Sequence, residues 1–208
     1  MKIRGPLARG CVGALCLLAS WAGGCATLSE AECRSADWYT IGYEDGAQGQ
    51  PAARVQAHRR ACAAHGVAPD LAAYRSGRDA GLPEFCRPEV GYALGARGRA
   101  YADVCPDDLE GPFLEAYASG QRWKAAADRV SGTSYRISTT EAELESLARR
   151  IREKEREARL PDLDPDQRAD IVAEAVELAR EQVEVEQELA RLREDLAVYQ
   201  AELAELGG

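Results

Sequence analysis

The feature that most constrains this chain is a stepping pattern of apolar residues in its second half. Ile171, Ala175, Leu178, Gln182, Val185, Leu189, Leu192, Leu196, Tyr199, Leu203 and Leu206 advance by fours and threes without a slip. That is a heptad seam, which only a long helix packed along another helix can use. A second run precedes it. Trp123, Val130, Ile137, Leu144, Ile151 and Ala158 lie seven apart, with Ala126 and Leu147 between them. Ser131-Gly132-Thr133-Ser134 lowers helix propensity within this run, so a soft point or slight bend is expected there. Between the runs, residues 160–166 read Leu-Pro-Asp-Leu-Asp-Pro-Asp, and two prolines cannot both sit inside a helix. The turn is therefore expected at about residues 161–165, with Asp166 as the N-cap of the second helix. Two seams joined by a short turn fold back as an antiparallel hairpin over residues 112–206. Arms of ~45 residues would be roughly 70 Å long. A turn centred near residue 163 places Ile151 near Ala175 and Leu144 near Gln182.

The first half has another composition. It holds the seven cysteines and most of the glycine pattern, whereas the hairpin segment has no cysteine. Tyr39-x-x-Gly42-x-x-x-Gly46 and Tyr74-x-x-Gly77-x-x-x-Gly81 repeat one motif. Tyr92-x-x-Gly95-x-x-Gly98 and Tyr117-x-x-Gly120 are partial copies. On a helix these positions share one face, so each motif predicts a groove where another backbone can lie close. Asp70 before Leu71 is placed as an N-cap, and Leu82-Pro83, Arg87-Pro88 and Cys105-Pro106 are placed as helix boundaries. Residues 25–111 thus read as a Cys/Gly-rich module of four or five short helices. Such a module has a thin core and needs staples. Cys33, Cys62, Cys86 and Cys105 are an even set in this segment and read as two disulfides. Four cysteines allow three pairings; Cys33–Cys62 with Cys86–Cys105 joins neighbouring helices in the simplest order. The fold class expected is all-α: a small disulfide-stapled helical module followed by a long antiparallel coiled-coil hairpin.

The chain opens like an export signal. Lys2, Arg4 and Arg9 form a cationic start, residues 11–21 are a short apolar run, and Ala22-Gly23-Gly24 lead to Cys25. The apolar run is about half the ~20 residues of a membrane-spanning helix. Small residues followed by cysteine suit lipoprotein maturation: residues 1–24 would be removed and Cys25 lipidated. Ala26 follows Cys25 where an inner-membrane retention signal would have Asp, so an outer-membrane anchor facing the periplasm is expected. The formal net charge is −9 and becomes three units more negative without Lys2, Arg4 and Arg9. Such a chain does not seek nucleic acid by charge.

The stretch Cys33-x-x-x-Asp37-Trp38-Tyr39-x-x-Gly42-x-x-Asp45-Gly46, the Tyr74–Gly81 motif with Phe85-Cys86, and Gly95-x-x-Gly98-x-x-Tyr101-x-x-x-Cys105-Pro106 resemble an uncharacterised bacterial lipoprotein family, domain of unknown function 2799. The resemblance implies a lipoprotein. It carries no activity, cofactor or catalytic residue.

No residue set declares a reaction. His58-x-x-x-Cys62-x-x-His65 has zinc-ligand types on one helical face. It lacks a fourth ligand, and a paired Cys62 is unavailable to metal, so two surface histidines beside a disulfide are expected. Trp38, Tyr39, Glu44 and Asp45 could line a sugar cleft. Adjacent carboxylates on a helix face different ways, which favours core aromatics and a solvated acidic face. Gly95-x-x-Gly98 with Arg97 and Arg99 lacks the spacing of a phosphate loop. No catalytic residue, metal or cofactor is assigned. The expectation is a structural or protein-interaction role, with an envelope protein as partner through the hairpin. The alternative is a periplasmic binding module or enzyme acting on a small ligand or glycan through the Tyr-Gly face.

Overall fold

A computed structural model describes residues 27–207. The export segment and Cys25 lie outside these residues. Within them the chain forms seven α-helices: α1 (Glu30–Arg34), α2 (Trp38–Ala47), α3 (Arg54–Ala63), α4 (Leu71–Phe85), α5 (Pro88–Ala96), α6 (Asp107–Glu157) and α7 (Pro165–Leu206). No strand is present among the described residues. The chain divides into two compact units, one holding residues up to 36 and 55–69, the other 37–54 and 70 onward.

In the first unit, α1 begins with a capping box: Ser29 accepts from the Glu32 N–H, and the Glu32 carboxylate accepts from the Ser29 N–H. A disulfide joins Cys33 of α1 to Cys62 of α3, both buried. Two helices of 5 and 10 residues are too short to hold themselves in water, so this crosslink is their main constraint. Past the end of α3 the chain turns at Gly66, whose φ of +71° permits the bonds Val67 N–H to Cys62 O and Gly66 N–H to Ala63 O.

In the second unit the Tyr-Gly motifs pair off. α2 packs on α4, and α5 packs on the first turns of α6. A methyl placed on Gly42 would sit 2.0 Å from the Tyr74 carbonyl oxygen, and one on Gly77 would sit 1.9 Å from that of Tyr39. Gly95 has the same relation to Tyr117 O (2.2 Å), and Gly120 to Tyr92 O (2.2 Å). Each Tyr-x-x-Gly thus seats its glycine on the tyrosine carbonyl of its partner motif. Gly46 against Arg78 O and Gly81 against Tyr43 O continue the first pair in the same direction, so these helices run parallel. The two pairs are the same interface built twice. Their ends meet in a core of Leu82, Cys86, Val104, Cys105 and Phe113, flanked by Phe85 and Tyr101. The Cys86–Cys105 disulfide lies in this core.

Some boundaries differ from expectation. Pro83 lies inside α4, which runs on to Phe85; the proline is close enough to the end that few bonds are lost. Gly98 is no face residue. It terminates α5 at φ +64°, with Arg99 N–H bonding Leu94 O. The division drawn between residues 111 and 112 falls inside α6, which begins at Asp107 and carries Pro112 within its first turns.

α6 and α7 form the expected hairpin, packed along their lengths. Among the seam residues, Ala126, Leu147, Ile171, Leu178, Leu189 and Leu192 are buried. α6 runs unbroken through Ser131–Ser134, and Thr133 there is itself a buried seam residue. Cross-helix ion pairs mark the register: Lys154–Glu174 (2.6 Å), Glu141–Arg193 (2.8 Å), Arg136–Glu188 (2.6 Å) and Arg129–Glu202 (2.5 Å). Ile151 and Ala175 line one common slot. The cap of α7 is Asp164, not Asp166. Its carboxylate accepts from Gln167 N–H (2.8 Å), the Gln167 side chain accepts from Asp164 N–H, and Pro165 takes the first helical position, where no donor is needed.

Candidate functional site

The glycine faces singled out as grooves are filled. Carbonyls and backbone of the partner helix occupy Gly42, Gly46, Gly77, Gly81, Gly95 and Gly120, leaving no cleft along them. What remains of the Tyr-Gly surface is Tyr39 and Tyr43, exposed on the outside of α2.

Behind that surface lies a polar cluster. Trp38, Gly42, Asp45 and Gly46 fall on one face of α2 and are buried. Asp45 is therefore not on a solvated face. It accepts a hydrogen bond of 2.6 Å from the Tyr74 hydroxyl, which is itself buried. Arg78 donates from Nη2 to the Gln50 carbonyl at 3.0 Å. Burial, and then the Asp45 carboxylate, push the Tyr74 phenol well above the ordinary tyrosine range; Arg78 and Arg54 nearby oppose this. The phenol is a fixed donor. The bond ties α2 to α4 from within. Glu44, its neighbour in sequence, is exposed on another side of α2.

His58 and His65 do not converge on metal. His58 is buried, correcting the expectation of two surface histidines, and its Nδ1 lies 2.9 Å from Thr27 Oγ1. His65 Nδ1 is 3.7 Å from the Glu30 carboxylate. Cys62 is committed to its disulfide. Among the described residues, no group of three or more His, Cys, Asp or Glu could hold a metal ion. Nor is any helix long and apolar enough to cross a membrane. Arg97 and Arg99 flank the turn at Gly98, where Tyr117 Oη donates to Arg99 O at 2.9 Å. Cys25 falls outside the described residues.

The remaining surface with chemistry is the hairpin. One flank is charged: Arg150, Lys154 and Arg180 mix with Glu153, Glu157, Glu174, Glu177, Glu181 and Glu184 along a shallow groove. The other flank, in the half nearer the turn, sets Ile151, Ala158, Val172, Ala175, Val176 and Ala179 beside Lys154, Glu155 and Arg159. Val172, Val176 and Val183 are about half exposed there. These valines lie off the heptad seam. A stripe displaced by one residue, Val172-x-x-x-Val176-x-x-Ala179-x-x-x-Val183, was present in the sequence and has the same step.

The fold and surface define a class of all-α protein: paired Tyr-Gly helices carrying a long hairpin. Residues 37–122 match the family model described as a protein of unknown function (DUF2799). The match starts at Asp37, the N-cap of α2, and stops two residues past Gly120. It therefore spans both Tyr-Gly helix pairs and leaves most of the hairpin outside. No curated protein and no solved structure matches the chain.

Proposed function

We propose that this is an outer-membrane lipoprotein, anchored through Cys25, whose hairpin meets a protein partner in the periplasm, with no catalytic chemistry of its own. The observation that carries the reading is the length of α6 beyond its brace. α5 meets α6 at Gly91 and Gly95, against Phe113 and Tyr117, and Gly98 just past the end of α5 lies against the Lys124 side chain. Past that level, more than 30 residues of α6 have α7 as their packing partner. A brace for the small module would need no such arm. The Gly-Gly-Cys25 junction and the two crosslinks support an oxidising envelope compartment.

The test has two parts. Cys25→Ser should move the protein from the membrane fraction to the soluble periplasm; wild-type protein found soluble and without acyl mass removes the anchor. Photo-crosslinking from exposed Tyr135 in living cells should give a discrete product. That product should vanish when two heptads are deleted from each arm in register. A crosslink pattern unchanged by the shorter arm removes the hairpin as the partner surface.

A further inference from the structure

The chain next to Cys25 is bonded to a basic helix. Thr27 follows Cys25 by two residues, and its Oγ1 lies 2.9 Å from Nδ1 of His58, buried in α3. Two residues span about 7 Å at full stretch. A lipid on Cys25 therefore draws α3 to the bilayer surface; this step rests on the anchor proposed above. Charge changes sign at the same place. The chain has 35 acidic residues against 26 basic ones. Yet residues 46–69, which contain all of α3, hold no Asp or Glu. Gln56, Arg59, Arg60 and Ala63 are exposed, and steps of three, four and seven set them on one side of α3. His58 and Cys62, both buried, mark the other side. The acids of this unit are engaged. Glu30 pairs with Arg34 at 2.8 Å and lies 3.7 Å from His65 Nδ1, and Glu32 accepts from Ser29. Among the described residues neither Arg59 nor Arg60 has an ion pair.

We infer that Arg59 and Arg60 dock on the phosphates of anionic phospholipid headgroups beside the anchor, so that α3 lies at the bilayer surface. Proximity and sign together select lipid as the partner. The pull between an exposed charge and a bilayer fades beyond about 8 Å. Only residues near the tether feel it, and α3 is bonded to the tether itself. An anionic surface repels carboxylates and attracts guanidinium groups, and the stretch brought near it is the one without carboxylates. A guanidinium also meets two phosphate oxygens at once, which suits a headgroup. The whole chain is too acidic to reach such a surface by charge. The lipid delivers it, and the two arginines decide which part of the protein touches. Each arginine raises the docked population roughly fivefold, and both together about 25-fold.

The test supplies its own anchor. The full mature chain from residue 25 is coupled through Cys25, its one cysteine outside the two disulfides, to a maleimide-headgroup lipid. The vesicles are phosphatidylcholine with or without phosphatidylglycerol. A fluorescent amino acid at Gln56 reports approach through quenching by a nitroxide-headgroup lipid. Phosphatidylglycerol should raise the quenching, and high salt should remove the rise. Arg59→Gln with Arg60→Gln should remove it as well, at unchanged helicity. Arg150→Gln with Arg152→Gln takes the same charge from the hairpin and should leave the rise intact. Equal quenching on both bilayers overturns the inference, as does a rise that survives the change at Arg59 and Arg60. A rise lost equally with Arg150 and Arg152 reports net charge alone and overturns it too. So does a photo-crosslinker at Gln56 that captures a discrete protein in cells. The anchor reading fails separately, when cellular protein carries no acyl mass, and the vesicle result then still states what α3 binds.

Discussion

At the scale of single residues, space decides what glycine contributes. Gly77 and Gly132 both lie within helices, yet they predict opposite outcomes on substitution. A methyl on Gly77 would stand 1.9 Å from the Tyr39 carbonyl, and backbone cannot swing aside. Gly77→Ala should destabilise the protein by about 2 kcal/mol or more in urea unfolding. Gly132 has nothing within 4 Å of such a methyl. Gly132→Ala should therefore stabilise by ~0.5–1 kcal/mol, since only the flexibility of glycine is removed. Tyr74 adds a pH dependence. Its folded-state value is raised above the ordinary one near 10, so the folded chain holds that proton more tightly than the unfolded chain. The stability this provides is complete below that ordinary value and lost as pH rises above it. Tyr74→Phe should cost about 1.5 kcal/mol at neutral pH and flatten the alkaline limb of the stability curve. The motif spacing made the glycines legible. It also held the signal for Asp45, which falls three residues after Gly42 on the same face; counting charge as solvated hid it.

At the scale of elements, the hairpin was legible because one periodicity runs through nearly a hundred residues. Its polar members were not. Thr133, Thr140 and Lys154 fill the steps between Val130, Ile137, Leu144 and Ala158, but an apolar search passes over them. Thr133 is buried in the seam, and Lys154 sits half in it to reach Glu174 and Glu157, whose hydrogen bonds raise its ammonium above the usual lysine range. The sequence favours Asp166 over Asp164, the cap that α7 uses, for a related reason. Both Asp164 and Asp166 are good caps, and only the proline between them discriminates, since Pro165 fits the first helical position. Asp164→Ala should cost ~1 kcal/mol, and Asp166→Ala clearly less. Leu192 is 2% exposed at the seam. Leu192→Asp places a carboxylate there without a partner, and should abolish the cooperative melting of the hairpin while leaving the core around Phe113 folded. Loss of helicity confined to the arm, seen by hydrogen exchange, would confirm it. Wild-type exchange along α6 and α7 would contradict it.

At the scale of the whole molecule, composition suggested one division and packing made another. The cysteines stop at Cys105, which places a boundary by composition soon after. Yet α6 belongs both to the Tyr-Gly pair at its start and to the seam beyond. The residues that separate from the rest are those stapled by Cys33–Cys62: up to 36 and from 55 to 69. No periodicity marks them, because α1 and α3 are short and joined by a covalent bond more than by an apolar face. The two disulfides should then fail differently. Cys86–Cys105 sits in a core of Leu82, Val104 and Phe113 with aromatic rings packed around it. Replacing both of its cysteines by alanine removes a crosslink worth ~3 kcal/mol, but the surrounding apolar contacts remain to hold α4, α5 and α6. The Cys33–Cys62 loop, 29 residues in separation, has few such contacts on its two short helices. Cys33→Ala with Cys62→Ala should free amide exchange throughout residues 27–36 and 55–69, while protection in α4, α6 and α7 is kept. Retained protection in α1 and α3 would show that packing, and not the crosslink, holds that unit.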